Sequence, residues 1–424
     1  MNRRKAGFGK RLAELHRWNG WLTAVLAVSG LLLAWGTVRE WGEGRIWIRQ
    51  LHLAVGIVSG ILIVLYLPLA KRHLKQLNKR ARQKGNLIFV LFLLLGWLLS
   101  GILLWQLRHF PPQWGNGARL VHQLLTYAGL PYVLYHSVTR LSWMRRSDRR
   151  AIRTTADPAS ADGAAVGAAH PEGPSIPGPW LNRRQFLQLS LGVALAAATL
   201  PSLFRWLGSV SGGSPFLPGG SASPGTDPNR MLPAPEPLPE SASVIGGGAK
   251  GQFQVYTVTR LPVFASDTWR FTLDGLVERP STWDWETFLR LPRTVQVSDF
   301  HCVTGWSVYR NTWEGIPLKQ LLREAGVKPQ AVAVKLYSGD GVYTDSLTLE
   351  QASMDDVLVA VLHDGKPIHR DYGGPARLIV PKMYAYKSVK WLDRIELIDR
   401  EHIGYWEERG YDKDAWLKGQ GLRT

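Results

Sequence analysis

The stretch DFHCVTGWSVYRNTWEG, residues 299–315, contains Cys302, the only cysteine in a chain of 424 residues. A single thiol cannot form an internal disulfide or a four-thiolate zinc site. Two readings stay open on these residues alone. Cys302 is either a small buried hydrophobe, or a thiolate that acts as a nucleophile or as one soft ligand to a metal held mainly by other atoms.

Around this stretch the chain alternates short apolar segments with turn residues. Trp269–Val277, Thr294–Ser298, Val332–Tyr337 and Ala376–Val380 read as strands, and Thr287–Leu291, Leu318–Ala325 and Leu349–Ser353 as short helices. The expectation is an α+β, β-rich domain over residues 245–424, large enough for its own core. It holds 23 Lys/Arg and 23 Asp/Glu, so it is neutral.

The formal charge of +18 therefore comes from residues 1–244, where basic residues alternate with long apolar runs. That arrangement argues against nucleic acid, whose binders cluster basic residues on a soluble face. Trp18–Val38, Leu51–Ala70, Leu87–Leu107 and, less apolar, Leu120–Thr139 match the roughly 20 residues of a transmembrane helix. Segments Arg3–Arg17, Lys71–Lys84 and Arg140–Arg153 carry six, seven and six Lys/Arg, whereas Arg39–Arg49 and Arg108–Arg119 carry three and two. The positive-inside bias then predicts a four-helix transmembrane bundle over residues 1–150, with both ends in the cytoplasm.

Residues 151–181, rich in Ala, Gly and Pro, read as a cytoplasmic linker. The next segment, NRRQFLQLSLGVALAAATLPSLF (182–204), pairs two arginines with a moderately apolar run. This resembles a twin-arginine export signal; its internal position predicts an uncleaved anchor helix over 182–207. Residues 208–244 are Gly, Ser and Pro in bulk and read as an exterior linker. The β-rich domain is thus expected on the outer face of the cell membrane, delivered by the twin-arginine machinery.

Ionisable residues inside a membrane span default to function. His122 and His136 lie 14 residues apart, which puts them within about 40° of one helix face and roughly 21 Å apart along it. His16 stands at the inner end of the first span and His52 at the outer end of the second. The depths pair His16 with His136 and His52 with His122, as two bis-imidazole sites for haem iron. His73 and His109 fit no pair and read as ordinary interfacial histidines. The pattern resembles the four-helix di-haem cytochromes b of bacterial membranes, which implies two b haems and electron exchange with quinone.

Four further motifs resemble the sulfite oxidase fold of molybdopterin enzymes. They are WRFTLDGLVERP (269–280), DFHCVTGWSV around Cys302, WEGIPLKQLL (313–322) and GGPARLIVPKMYAYKSVKWLDRIEL (373–397). The resemblance implies a molybdenum–molybdopterin cofactor with Cys302 as the thiolate ligand. It implies Arg377, Lys387, Ser388 and Lys390 as anchors of the pterin phosphate, with Thr344 and His369 as additions. His301 abuts the ligand, as in the bacterial methionine-sulfoxide-reducing members. Trp306, Tyr309 and Tyr343 are candidates for the pocket wall, and each is equally at home in a core. Two departures count against sulfite as substrate. Tyr372 stands where sulfite oxidases commonly carry a histidine, and no anion-binding arginine cluster is legible.

The expected protein is a membrane-anchored oxidoreductase transferring an oxygen atom to or from a small sulfur or nitrogen compound or a protein sulfoxide. Membrane lipid and quinone are its expected partners. A sulfite-type oxidase running in the opposite direction is the nearest rival. A haem-only electron shuttle with a non-catalytic exterior domain is a further one.

Overall fold

The computed structural model of the chain describes residues 3–35, 38, 41–139 and 226–418. The expected anchor helix 182–207, the linker 151–181 and the first half of the exterior linker lie outside the described residues.

Four long helices come first: α1 (Arg3–Ala34), α2 (Glu43–Gln76), α3 (Ala81–Trp105) and α4 (Gln113–Thr139). Each packs on the next in chain order. Helices α2 and α3 are long and apolar enough to cross a membrane. Val28, Leu65, Phe92 and Leu99 point outward, exposed, as side chains facing lipid tails would. Between helices, leucines sit over glycines: Leu98 over Gly60, Leu125 over Gly96 and Leu93 over Gly129. Small residues at such crossings let backbones approach closely.

Residues 226–418 form a β-rich unit of two sheets. The first has the order β2 (Ser281–Asp284), β1 (Arg270–Gly275), β10 (Leu392–Ile398), β5 (Ala333–Ser338) and β6 (Thr344–Thr348), and only the β1–β10 pair is parallel. The second runs β3 (Thr294–Cys302), β4 (Trp306–Pro317), β7 (Leu358–His363) and β8 (Lys366–Pro367), with β9 (Arg377–Ile379) also paired to β7. The strand pattern of β1 turns Phe271 and Leu273 into the core. Helix α6 (Leu318–Ala325) buries Leu318, Leu321, Leu322 and Ala325 at helical spacing and ends at Gly326, whose φ of 70° suits a left-handed cap. Asp284 caps α5 (Trp285–Leu289), and Thr348 with Gln351 forms a capping box on α7 (Leu349–Ala352).

All four expected strands and three expected short helices have counterparts, as β1, β3, β5, β9, α5, α6 and α7. Residues 226–244, expected as linker, instead pack on the domain. Trp285 Nε1 donates to the Pro233 carbonyl at 2.8 Å, and the Leu238 N–H donates to Glu314 at 3.0 Å. The segment continues to 265 as a strap that bridges to the second sheet through Lys250 and Tyr309, and its own two ends are joined by a bridge between Arg230 and Ala265.

Candidate active site

Cys302 is the last residue of β3 and pairs across a tight turn with Trp306 of β4. The Gly305 N–H closes that turn onto the Cys302 carbonyl at 3.0 Å. Gly305 has a φ of 88°, a conformation that a side chain would strain. The Cys302 sulfur lies 3.1 Å from Thr304 Oγ1. Burial pushes the thiol pKa up, and the Thr304 hydrogen bonds, then the charges of Arg45 and Arg119, oppose that. A coordinated metal would hold the sulfur as thiolate.

Cys302 opens into a cavity of about 170 Å³. Of the residues expected at the cofactor, Tyr343, Arg377, Ser388 and Lys390 also line it. Arg377 is buried, donating to the Tyr372 carbonyl at 2.5 Å and the Ser388 carbonyl at 3.2 Å, and its Nε has no acceptor among the described residues. Burial lowers its pKa to about 9, so it stays cationic at neutral pH. Lys390 is lowered to about 7, by burial first and by the Arg377 charge second. Its ammonium donates to the Tyr256 carbonyl of the strap. The Trp306 indole N–H, buried in the same wall, also lacks an acceptor among the described residues. Two adjoining cations and two orphaned donors form a donor set suited to a phosphorylated pterin.

The other expected residues are elsewhere. His301, next to Cys302 on an alternating strand, pairs with Ser307 at 2.7 Å, and burial lowers its pKa. Thr344 meets His402 at 2.9 Å. His369 caps a short turn by accepting the Asp371 N–H at 3.1 Å. Lys387 is fully buried between Asp345, at 2.8 Å, and Glu407. Desolvation pushes the Asp345 carboxyl up to about 6, although Lys387 pulls it down. The Tyr343 hydroxyl donates to the Tyr386 carbonyl at 2.6 Å and lies 3.1 Å from Asp345. Burial and that carboxylate push its pKa well up. Tyr343 therefore walls the cavity with its proton committed elsewhere.

Part of the wall was not anticipated. Gly42, Arg45, Ile46 and Arg49 enter from the start of α2, and Trp406, Arg409 and Tyr411 from the C-terminal tail. The Ser307 N–H donates to Asn116 of α4 at 3.0 Å, and Arg409 pairs with Glu43 of α2.

In the helical half, the rings of His16 and His136 stand 6.0 Å apart, centre to centre, at 79°. Metal–nitrogen bonds of about 2 Å put two axial imidazoles roughly 6 Å apart, so this pair fits an iron between them. His52 and His122 lie within electrostatic reach of each other. Each has its Nδ1 at a serine of the neighbouring helix, Ser29 at 2.8 Å and Ser100 at 2.9 Å, contacts of the kind that orient a metal-binding imidazole. A Cβ at Gly30 would lie 3.3 Å from the His52 ring, and one at Gly101 3.7 Å from that of His122. Glycine at both places keeps room beside the imidazoles.

Residues 258–406 match the model of the oxidoreductase molybdopterin-binding domain. An uncharacterized oxidoreductase of Bacillus subtilis is 35% identical over 167 residues, 39% of this chain and 84% of its own. The protein-methionine-sulfoxide reductase catalytic subunit of Campylobacter jejuni is 25% identical over 53% of this chain and 76% of its own. The mitochondrial sulfite oxidase of Drosophila melanogaster is 34% identical over 23% of this chain and 19% of its own. The cavity around Cys302 lies within the matched region, and through it the chain belongs to the molybdopterin-binding oxidoreductases.

Proposed function

We propose that this chain is a membrane-anchored molybdenum enzyme that transfers an oxygen atom to or from a small sulfur or nitrogen compound, or a protein sulfoxide, at the outer face of the membrane. One observation carries the reading. Cys302 shares its cavity with Arg377 and Lys390, two cations with unsatisfied donors close by, which suit a phosphorylated metal cofactor. Cys302 would ligate the metal, and Arg377, Lys390, Ser388 and the Trp306 N–H would hold the pterin. When bound, the molybdenum centre supplies two-electron oxygen-atom chemistry and the haems one-electron traffic. The residues of the chain orient and shield. Thr304 positions the sulfur, while Trp306 and Tyr343 limit the entry of water.

The four helices are read as a transmembrane bundle with two b haems, one on His16 and His136 and one on His52 and His122, exchanging electrons with the quinone pool. The 6.0 Å ring spacing and the serine-held imidazoles support this. The outer pair is on the side that meets the exterior domain. From Gly115, packed on the turn after Cys302, to His122 is seven residues of α4, about 10.5 Å of helix rise. Arg183 and Arg184 are assigned to export by the twin-arginine machinery, with the following helix retained as an anchor in the lipid.

The test is metal and pterin analysis of the purified full chain, followed by quinol-linked assays with methionine sulfoxide, other S-oxides and N-oxides, and quinone-linked assays with sulfite. Molybdenum with turnover of one of these supports the reading. A molybdenum-free chain holding haem alone would make it an electron shuttle instead.

A further inference from the structure

The cavity around Cys302 has one wall that the exterior domain does not supply. Arg45 and Arg49, in the first two turns of α2, line it together with Cys302 and Lys390. Both are half-buried, and each lies over an aromatic ring of the exterior half. The Arg45 guanidinium is 3.9 Å from the centre of the Tyr256 ring, and that of Arg49 is 5.4 Å from Tyr411. A cation–π contact uses none of a guanidinium's hydrogen-bond donors, so they can still meet a ligand. Glu43, the acidic residue of the same turn, is already taken by Arg409. Among the described residues, no carboxylate forms an ion pair with Arg45 or Arg49. Five cationic side chains and two carboxylates line the cavity. Arg377 and Lys390 account for a cofactor phosphate and Arg409 for Glu43, which leaves Arg45 and Arg49 on the side lined by α2.

We propose that Arg45 and Arg49 form an oxyanion-recognition wall, so that the helical half is part of the substrate pocket and the substrate is a small oxyanion. This rests on the oxidoreductase reading above and narrows its substrate class. Two forked donors suit a ligand with several charged oxygens, whereas the single oxygen of a neutral sulfoxide would leave most of them unmet. A sulfoxide borne by a protein would also have to fit beside α2 and the tail at Trp406 and Tyr411, which line the cavity.

The test uses the cofactor-loaded full chain in zwitterionic lipid nanodiscs, with sulfate as an unreactive probe in calorimetry. Sulfate should bind the wild type, and Arg45→Gln and Arg49→Gln should each weaken it about ten-fold, as loss of a charged hydrogen bond does. Arg45→Lys should keep part of the binding. The KM for sulfite should rise similarly in both Gln variants, while that for dimethyl sulfoxide stays put. Sulfate binding that is absent from the wild type, or equal in all variants, would overturn the wall. So would competition by added phosphatidylglycerol, which would make the arginines a headgroup site. Loss of pterin and molybdenum from the Gln variants would assign the arginines to the cofactor phosphate, and the substrate assignment would fall. A wild type without molybdenum sinks the function proposed above, whereas the sulfate titration still decides the wall.

Discussion

Gly115, in the first turn of α4, touches Gly305, in the turn after Cys302: a Cβ on Gly115 would lie 3.0 Å from the Gly305 Cα and 3.1 Å from its carbonyl oxygen. The two halves meet backbone to backbone where the thiol-bearing strand ends. Gly115→Leu should wedge them apart and slow the reoxidation of reduced haem by substrate, with molybdenum and haem contents unchanged. Stopped-flow haem spectra report the rate, and an unaltered rate would place electron transfer elsewhere.

Cys302→Ser should abolish turnover and leave the haem spectra as they are. The thiol belongs to the β-rich half, and its side-chain partner, Thr304, is local. Undiminished turnover in this variant would remove Cys302 from the metal.

Lys390 sets a pH dependence. Its pKa in the fold is about 7 against an ordinary 10.5, so between those values the unfolded chain binds more protons than the folded one. Stability of the cofactor-free domain should therefore rise with pH from about 7 to 10. A bound phosphate would restore the charged ammonium and flatten the slope, as would Lys390→Met. Thermal unfolding at several pH values, followed by tryptophan fluorescence, checks the sign.

Lys387→Met should destabilise the β-rich domain by roughly 3–5 kcal/mol, because Asp345 and Glu407 would be left buried without their cation. The protein that remains folded should keep its molybdenum. Loss of cofactor without loss of stability would return Lys387 to the phosphate.

His136→Ala and His16→Ala should lose the same inner haem, and His122→Ala and His52→Ala the outer one. Ser100→Ala should leave the outer haem in place but shift its potential, since the serine orients the imidazole through Nδ1. Redox titration of the membrane-embedded chain distinguishes these outcomes, and a different pairing of losses would refute the arrangement.

How legible the fold was depended on the kind of strand. Strand β1 announces itself by alternation, with Phe271 and Leu273 inward. Strand β4 does not: it is buried on both faces for most of its length, including Asn311, Thr312 and Glu314, so no two-residue period survives. Strand β7, Leu358–His363, is a continuous apolar run that could equally be a buried helix turn. At the site, Ser388, Lys390 and Lys387 sit in one motif, yet only the first two line the cavity, because Lys387 turns into the ionic cluster with the tail. A basic motif gives spacing, and the backbone path decides direction. In the sequence Arg45 and Arg49 are charges between two apolar runs, and nothing in a helix start shows that it will face a thiol some 250 positions later.

A pocket walled by α2, the strap and the C-terminal tail has consequences for biogenesis. A bulky prosthetic group that reaches Cys302 meets residues of both the helical half and the β-rich half. Cofactor loading and the docking of the two halves are therefore coupled, because the same cavity wall takes part in both. The contacts of Glu43 with Arg409 and of Asn116 with Ser307 join the halves beside that cavity.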